Sequence, residues 1–342
     1  MERILVALSG GVDSSAAAVV LKQNGYHVEG AIMVFSGVSQ EAVDHASEVS
    51  QKLCIPFHCF DFTKEFEDII IGDFIEEYKR GKTPNPCVLC NKQIKFGLFM
   101  RKAEEMGIHK IATGHYARIE KENGRFLLKR GIDENEQSYF LYRLDQSQLS
   151  RIVLPLGSYT KRAVRKLARM EALRTAHRKK SQDVCFVPDG NYMSYLQRII
   201  PQQSGPVYNK DGQVIGQHRG IIYYTCGQRR GIGISHKRPY YVIKIDADNN
   251  AIHVGERKDA YRSQLIAREL NFIPFDTLTQ RLQVRAKPRY ISPLSPAMVE
   301  PFTKNRVKVT FEKPQWALTP GQSIVFYQED VVLGGGTIED IQ

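Results

Sequence analysis

The chain has 342 residues, of which 42% are hydrophobic and 25% charged, so its composition is that of an ordinary globular protein. At about 150 residues per domain, this length predicts two or three domains. Six cysteines are too few for a disulfide scaffold. Neither a secretory signal nor a stretch of roughly 18 apolar residues is present. We therefore expect a cytoplasmic protein with reduced thiols and no membrane association.

The net charge of +11 is unevenly distributed. Residues 1–73 contain 4 Lys/Arg and 11 Asp/Glu, a net charge of −7, so the rest of the chain carries +18. The segment 151–180 alone has ten basic residues and one acid. Such asymmetry favours a polyanionic partner for the later part of the chain, with a merely solvated basic surface as an equal alternative.

Strand and helix patterns alternate through the first part of the chain. Apolar runs predict strands at 3–8, 27–35, 55–60 and 109–113. Helical spacing of apolar residues predicts helices at 15–23, 41–53, 64–79 and 91–106. This alternation predicts an α/β domain with a doubly wound, mostly parallel sheet and helices on both faces.

The pattern changes near residue 200, after which short β-like runs dominate. They lie at 220–225, 240–245, 251–254, 283–286, 306–311 and 323–326, separated by turn signals. Helical periodicity is almost absent beyond about residue 265, which predicts a β-barrel or sandwich. We expect an N-terminal α/β domain (1–200), a small central mixed or β domain (201–264) and a C-terminal β-barrel (265–342).

The strongest motif is SGGVDSS at residues 9–15, between the first predicted strand and helix. Glycines let a backbone approach a ligand closely, and free N–H groups at a helix start bind anions. Serine hydroxyls add donors. The motif does not end in the Lys-Ser/Thr pair of a Walker A loop, so it suits a pyrophosphate leaving group. Asp13 is a candidate ligand for Mg²⁺.

This motif resembles the PP-loop of the ATP-pyrophosphatases, which adenylate a substrate oxygen and release pyrophosphate. Further motifs are similar to those of the tRNA-specific 2-thiouridylases: TPNPCVLCN (83–91), ATGHYA (112–117), QSYFL (137–141), LPLG (154–157), SQDVCF (181–186), GQRRG (227–231), PGQ (320–322) and LGGG (333–336). They extend from residue 5 to about residue 336. The resemblance implies a PP-loop catalytic domain at 1–200 and ATP-dependent 2-thiolation of the wobble uridine, position 34, of tRNA.

The implied reaction needs an ATP site and two thiols. Adenylation turns the uracil C2 oxygen into a leaving group, a persulfide sulfur then displaces AMP, and a second thiol helps to free the sulfur. By the resemblance, Cys90 matches the nucleophile and Cys185 the persulfide carrier. We expect a helix start and Lys92 to favour the thiolate of Cys90. Lys179 and Lys180 are expected to do the same for Cys185.

The remaining cysteines are interpreted individually. We expect Cys54 and Cys59 to pack around an apolar strand and Cys226 to be structural. Cys87 stands where many family members carry Asp, and it forms a C-x-x-C with Cys90. With Cys185, this pair could instead hold a [4Fe-4S] cluster that has one open iron, as an alternative to the persulfide route. A disulfide bond is also among the features that the resemblance implies.

The resemblance assigns two groups of contacts. ATP contacts fall at Ala7, Leu8, Ser9, Gly10, Gly11, Val12, Asp13, Ser14, Met33 and Gly114, with Mg²⁺ at Asp13. For Met33 alone, an ordinary core role is the favoured interpretation. Contacts with tRNA or the target base fall at Asn85, Pro86, Cys87, His115, Asn135, Glu136, Gln137, Arg289, Tyr290 and Gln322. Asn135-Glu136 replaces the usual Lys-Asp, and Arg289-Tyr290 aligns only loosely.

The resemblance also implies partners. These are the anticodon stem-loop of tRNAs that accept Lys, Glu and Gln, and a sulfur donor such as a cysteine desulfurase or relay protein. The charge division predicts that tRNA follows residues 151–180 and the β domains and avoids 36–73. Two alternatives stay open: another PP-loop synthetase, and a tRNA-binding protein without catalysis.

Overall fold

The computed structural model describes residues 1–173, 184–187 and 190–342. Five strands form the first sheet, in the spatial order β3-β2-β1-β4-β7, and every pairing is parallel. Their bounds are β1 Arg3–Ala7, β2 His27–Val34, β3 Phe57–Asp61, β4 Lys110–Ala112 and β7 Ile152–Val153. The predicted parallel α/β sheet is confirmed.

After Arg3, β1 is an unbroken apolar run, because both faces of the sheet are covered. Leu5 and Ala7 face one hydrophobic core, while Ile4 and Val6 face the other, and all four are buried. The helices that cover these faces and their neighbours are α1 Val12–Gln23, α2 Gln40–Lys52, α3 Thr63–Phe66, α4 Gly72–Lys79, α5 Pro86–Cys90, α6 Phe99–Glu105, α7 Gln146–Leu149, α8 Lys161–Met170 and α9 Tyr192–Gln197.

In two places a π-helical segment joins two α-helices into one longer helix. A π-helical segment, Glu67–Ile71, joins α3 to α4, so the predicted helix at 64–79 is one continuous element. A second, Asn91–Leu98, joins α5 to α6. The helix predicted from residue 91 therefore begins at Pro86, where a proline in the first turn is favourable because its missing N–H has no partner to lose.

A hairpin that the sequence patterns did not predict joins the first domain to the last. Its strands are β5 Ala117–Glu122 and β6 Arg125–Arg130. Lys129 of β6 pairs with Val331 in the C-terminal sheet, and the backbone N–H of Arg130 donates to the carbonyl oxygen of Asp330 at 2.8 Å. The barrel is thereby hydrogen-bonded to a hairpin that lies between β4 and β7 of the parallel sheet in the sequence.

The central sheet has four strands in the order β10-β11-β8-β9. Their bounds are β8 Gly205–Tyr208, β9 Val214–His218, β10 Tyr241–Asp246 and β11 Ala251–Gly255. The strand predicted at 220–225 is wrong, because Ile221–Tyr223 forms a single 3₁₀ turn. Gly220 precedes it at φ +132°, a backbone conformation that ends the extended run.

Six antiparallel strands close into the predicted C-terminal barrel, in the order β12-β15-β14-β13-β16-β17 with β17 returning to β12. Their bounds are β12 Tyr261–Phe272, β13 Leu282–Lys287, β14 Ser295–Thr303, β15 Arg306–Trp316, β16 Ser323–Gln328 and β17 Val331–Ile341. Alternate residues fill the interior, including Leu265, Val309 and Phe326. None of the described helices is long and apolar enough to cross a membrane.

Candidate active site

The SGGVDSS loop links β1 to the start of α1 and is closed by its own hydroxyls. The hydroxyls of Ser14 and Ser15 both donate to the carbonyl oxygen of Gly11, at 3.1 and 2.9 Å. In this arrangement the two hydroxyls stabilise the turn, and their role as donors to a ligand stays a prediction. Gly11 caps α1 without a side-chain hydrogen bond, which leaves the first N–H groups of α1 for an anion.

Glycine is required at two close approaches around this loop. Gly10 has φ +66°, and a Cβ there would come within 2.6 Å of the carbonyl oxygen of Ala42 in α2. At Gly114, just after β4, a Cβ would lie 2.7 Å from the carbonyl carbon of Asp13. The ATGHYA motif is thus packed directly on the first turn of α1, and the contact of Gly114 with a nucleotide stays a prediction.

Asp13 is held by two side chains that the motif does not contain. The hydroxyl of Tyr116 donates to Oδ1 of Asp13 at 2.7 Å, and Nζ of Lys161, the first residue of α8, donates to the same oxygen at 2.6 Å. Sequence reasoning placed Lys161 only within a basic segment. The carboxylate remains a candidate for Mg²⁺ once Lys161 moves aside.

Other predicted ATP contacts lie near this loop. Ala7 and Leu8 end β1 and are buried, and Met33 lies near the end of β2 with 9% of its surface exposed. Met33 belongs to the core cluster on one face of the sheet. The structure therefore gives Met33 the core packing that its sequence favoured, and its contact with adenine stays a prediction.

His115 connects the phosphate loop to the cysteine loop. Its Nδ1 is hydrogen-bonded to the hydroxyl of Thr113 at 2.7 Å, and its ring lies 5.8 Å from that of Phe96. Burial, followed by the nearby charge of Lys95, lowers the pKa of His115 to about 3. His115 is therefore neutral at physiological pH and would act on a ligand by hydrogen bonding alone.

Cys90 is buried in the last position of α5, one turn inside a helix that begins at Pro86. The expectation that Cys90 stands at a helix start is wrong, because the helix begins four residues earlier. Lys92 is also not its partner, since Nζ of Lys92 binds Oδ2 of Asp145 at 2.5 Å and Oε1 of Gln148 at 2.8 Å.

Lys95 is the cation that acts on the thiols. Burial raises the pKa of Cys90 to about 12, while the charge of Lys95 opposes this rise. Cys87 and Cys185 are exposed, yet the protein around them desolvates their thiolates and raises their pKa, again against the charge of Lys95. The charges of Cys185 and Cys87 in turn raise the pKa of Cys90, so the three thiols lie within electrostatic range of one another.

Cys185 reaches this cluster through the packing of its own segment. Its carbonyl oxygen lies only 2.2 Å from where a Cβ of Gly37, just after β2, would stand. The next residue, Phe186, is buried with its ring 5.7 Å from Phe66 and 5.2 Å from Phe74. Lys179 and Lys180, and Ser181 to Asp183 of the SQDVCF motif, lie outside the described residues.

The burial of the other three cysteines agrees only in part with the expectation. Cys54 and Cys59 are exposed rather than packed: Cys54 lies just after the end of α2, and Cys59 lies on β3, the edge strand of the sheet. Cys226 is buried, with Sγ 3.9 Å from the carbonyl oxygen of Ile243, in keeping with a structural role. All six cysteines are free thiols, so the implied disulfide bond is not formed.

The placement of the three thiols bears on whether an iron–sulfur cluster fits between them. Within residues 1–173, 184–187 and 190–342, no group of three His, Cys, Asp or Glu side chains is arranged to hold a metal ion. Cys87, Cys90 and Cys185 share an electrostatic environment but do not form a ligand set in this conformation. The residues as placed do not fit an iron–sulfur cluster.

The C-terminal barrel holds the entry to the cysteine loop. Nε2 of Gln322 donates to the carbonyl oxygens of Thr83 at 2.8 Å and Pro84 at 3.3 Å, directly before Asn85 and Pro86. The Thr83 hydroxyl is also hydrogen-bonded to that of Thr225, at 2.7 Å. The side-chain carbonyl of Gln322 is left for a ligand, and its contact with tRNA stays a prediction.

Two residues that align loosely are already engaged inside the protein. Arg289 donates to the carbonyl oxygens of Cys226 at 3.1 Å and Ala317 at 2.5 Å, and it also binds the hydroxyl of Thr319. The hydroxyl of Tyr290 donates to the carbonyl oxygen of Glu136 at 3.1 Å. Arg289 thus joins the central sheet to the barrel, whereas Tyr290 supports the segment around residue 136.

The 135–137 segment divides into exposed and buried parts. Asn135 and Gln137 line a cavity beside Asp13. Glu136 is only 2% exposed, and its carboxylate accepts from the hydroxyl of Ser138 at 2.6 Å and from Nε of Arg130 at 3.3 Å. The carboxylate of Glu136 is thus hydrogen-bonded inside the protein, and the contact of tRNA with this segment stays a prediction.

Comparisons with known proteins agree with this architecture. Three family models match in succession: a tRNA methyl transferase HUP domain at residues 2–189, a tRNA methyl transferase PRC-barrel domain at 193–256, and an aminomethyltransferase beta-barrel domain at 262–338. A tRNA-specific 2-thiouridylase MnmA of Halothermothrix orenii is 45% identical over 99% of both chains. Another from Clostridium botulinum is 42% identical over 99% of both chains.

Solved structures are more distant. A U34-tRNA thiolase NcsA from Methanococcus maripaludis, described with its [4Fe-4S] cluster, is 18% identical with a TM-score of 0.38, covering 58% of this chain and 65% of its own. The full-length matches to curated relatives are the informative ones. This chain belongs to the tRNA-specific 2-thiouridylase family.

Proposed function

We propose that the chain, an ATP-dependent tRNA sulfurtransferase, transfers sulfur to C2 of the wobble uridine through a persulfide on Cys185. The observation that carries this proposal is the electrostatic coupling of Cys90 to Cys185 and Cys87, and of all three thiols to Lys95. The ATGHYA segment links this cluster to the phosphate loop, through Gly114 on Asp13 and through His115 beside Phe96. A phosphate site and a thiol pair thus border one reaction space.

The first step is adenylation. The uracil O2 attacks the α-phosphorus of ATP, the bond to the bridging oxygen breaks, and pyrophosphate leaves with that electron pair while N3 gives up its proton. The N–H groups at the start of α1 bind the phosphates. Asp13 would hold Mg²⁺, which neutralises phosphate charge when bound. The loop motif has no lysine, in keeping with release of pyrophosphate.

The second step moves the sulfur. The outer sulfur of a Cys185 persulfide attacks C2, and AMP leaves with the C2–oxygen electron pair. Cys90 then attacks the Cys185 sulfur, which releases the 2-thiouridine and leaves a Cys90–Cys185 disulfide for a dithiol reductant. Burial keeps Cys90 protonated in the free protein. Because the thiol is protonated, Cys90 would attack only after the substrates fill the site and the thiol loses its proton.

An iron–sulfur route is the alternative to the persulfide. It would use Cys87, Cys90 and Cys185 as ligands, with Cys185 no longer a sulfur carrier. The described side chains do not form a metal-binding group, so no step is derived through a cluster. Cys87, where many family members have Asp, instead lies exposed beside Asn85 and Pro86, where the target base is expected to bind.

The charge distribution along the chain and the family to which it belongs both support the proposed substrate. The anticodon stem-loop of tRNAs for Lys, Glu and Gln is the proposed target, bound by the basic segment 151–180 and the β domains. The base would leave its stack to reach Cys90. A cysteine desulfurase or relay protein supplies the sulfur in the cytoplasm. We divide the chain at residues 200 and 264 into catalytic, central and barrel domains.

Mass spectrometry of tRNA nucleosides tests the proposal. The full chain is incubated with unmodified tRNA, ATP, Mg²⁺ and a sulfide or desulfurase source, and 2-thiouridine is quantified. Product that requires both ATP and tRNA is expected. ATP turnover without tRNA would instead indicate another PP-loop synthetase, and salt-sensitive tRNA binding without turnover would indicate an inactive binder. Iron and sulfide analysis after anaerobic purification distinguishes the cluster route.

A further inference from the structure

A tight turn, the 35–38 turn, follows β2 at the carboxyl edge of the parallel sheet. The N–H of Val38 donates to the carbonyl oxygen of Phe35 at 2.9 Å, which closes the turn. Gly37 is its third residue and has φ +96°, a conformation that type II turns need at this place and that glycine adopts without strain. Ligands of open α/β sheets bind beyond the carboxyl ends of the strands, so this turn lies where a site is expected.

Two contacts fix the 35–38 turn on the long helix that spans residues 63–79. The ring of Phe35 stacks on that of Phe66 with their centroids 4.3 Å apart and their planes 6° from parallel. The hydroxyl of Ser36 donates to Oε1 of Glu67 at 2.7 Å. Phe66 ends α3 and Glu67 begins the π-helical segment, so the turn is held at the junction between them.

The backbone of Cys185 lies directly against Gly37. A Cβ at Gly37 would stand 2.2 Å from the carbonyl oxygen of Cys185 and 2.8 Å from Cα of Phe186, whereas ordinary contacts begin near 3.4 Å. The position therefore requires glycine for two separate reasons, its positive φ and this close approach. Any larger side chain at residue 37 would push the Cys185 backbone away.

An aromatic cluster holds the next residue, Phe186, which is only 5% exposed. Its ring meets three others edge-on, those of Phe66 at 5.7 Å, Phe74 at 5.2 Å and Tyr195 at 5.9 Å. Edge-to-face ring pairs are favourable beyond the area that they bury. Because Phe66 also stacks on Phe35, one ring joins the 35–38 turn to the segment that carries Cys185.

The thiol of Cys185 stays exposed although its backbone lies against Gly37. We propose that the 35–38 turn and the ring of Phe186 set the direction in which Cys185 presents its persulfide, first to C2 of the activated uridine and then to Cys90. The proposal rests on the proposed function, in which Cys185 carries the sulfur. Gly37 and Phe186 act through Cys185, so they are positioning residues for sulfur transfer and take no part in adenylation.

Replacing Gly37 with alanine tests the proposal, and G25A is the matched control. Gly25 also has a positive φ, +84° against +96°, but nothing lies within 4 Å of where its Cβ would stand. Both variants therefore carry similar backbone strain, and only G37A displaces Cys185. A misplacement of about 1 Å can cost ~100-fold in rate, so kcat for 2-thiouridine should fall about tenfold or more in G37A. The KM for tRNA, and the release of pyrophosphate without a sulfur source, should stay native in both variants.

F186L is a second variant, which empties part of the aromatic cluster. Its control is F272L, since Phe272 pairs with Phe275 in the barrel, with their rings 5.0 Å apart. We expect F186L to lower kcat for 2-thiouridine and to leave pyrophosphate release unchanged, and F272L to leave both unchanged. Should G37A not fold, F186L and its control give the answer.

A disulfide assay measures the position of Cys185 without tRNA or ATP. Diamide takes up two electrons and two protons as it joins Cys90 to Cys185, and peptide mass spectrometry follows the rate. G37A and F186L should slow this step about tenfold, whereas the two controls should match the native chain.

Native kcat in folded G37A and F186L would overturn the proposal, as would equal losses of pyrophosphate release and thiolation, or the absence of the disulfide in the native chain. If the native chain forms no 2-thiouridine, the proposed function fails instead. The disulfide rates then still decide whether Gly37 and Phe186 position Cys185.

Discussion

The side-chain amide of Gln322 donates to the carbonyl oxygen of Thr83 at 2.8 Å, although 239 positions separate them in the sequence. The N–H of Thr83 donates in return to the carbonyl oxygen of Pro320 at 2.9 Å. The barrel therefore fixes the backbone that leads into α5 and Cys90. A motif that resembles a tRNA contact also positions the loop that leads to Cys90.

Replacing Gln322 with leucine should separate these two roles. The variant cannot form the hydrogen bonds to Thr83 and Pro84, each worth ~1 kcal/mol, so we expect thiolation to fall about tenfold while pyrophosphate affinity is unchanged. The measurement is the initial rate of 2-thiouridine formation. Q328L, at the exposed end of β16, serves as the control and should keep the native rate. A native rate in Q322L would show that the loop does not depend on the barrel.

Cys90→Ser and Cys185→Ser should each abolish thiolation while binding of the stem-loop persists. Serine keeps the size of the side chain but can neither carry a persulfide nor form a disulfide. The same nucleoside analysis measures activity, and anisotropy measures binding. C59S is the matched control, because Cys59 is an exposed thiol on the edge strand away from the cluster. Residual turnover in either variant would remove that cysteine from the mechanism.

The pH dependence of thiol alkylation should report the charge of Lys95. Burial raises the pKa of Cys90 to about 12, so below that pH the reactive thiolate is the minor form. Its alkylation rate should therefore rise about tenfold per pH unit between pH 7 and 10. K95M removes the cation that lowers the pKa of Cys90 and Cys185, so their alkylation should slow at every pH.

Peptide mass spectrometry after iodoacetamide pulses gives the rate at each cysteine. K92M is the control on the same helix, because Lys92 is bound to Asp145 and Gln148 rather than to the thiols. Its profile should match that of the native chain. If the K95M and K92M profiles coincide, Lys95 does not influence the thiols.

The spacing of apolar residues predicts the strands and helices that are buried on one face or on both faces. It misses the strands that depend on pairing with residues far away in the sequence. The first four strands of the parallel sheet are apolar runs, and their predicted bounds lie within two residues of the observed ones. β5 and β6 are rich in charge, and they form strands by pairing with each other along their whole length and with the barrel through Lys129 and Val331. The start of α5 is not predicted, because the sequence at Asn85 and Pro86 is typical of a binding loop.

The sequence predicts the motifs of the site, but it does not predict which charged side chains face each other there. Motif order predicts that the SGGVDSS loop, Cys90 and Cys185 take part in one reaction. Which lysine faces them depends on the fold: Lys92 turns towards α7, whereas Lys95, a π-helical turn beyond Cys90, faces the thiols. Lys161 is 148 positions from Asp13, so no local pattern could have paired them. Lys161 lies directly after Thr160, the N-cap of α8, a local signal for the helix start only.

Charge reversal should map the path of tRNA. The exposed residues Lys166, Arg229 and Arg230 lie on the basic part of the chain, so K166E and the double variant R229E/R230E should each weaken stem-loop binding about tenfold at physiological salt. The slope of log affinity against log salt should also become shallower, by about 1 for each phosphate that the variant no longer binds. Anisotropy titrations between low and high potassium chloride give both quantities. E65K/D68K alters the exposed acidic segment 36–73, from which tRNA is expected to stay away, and should leave both quantities unchanged. Tighter binding in E65K/D68K with a steeper salt slope would place tRNA on the acidic side and refute the predicted path.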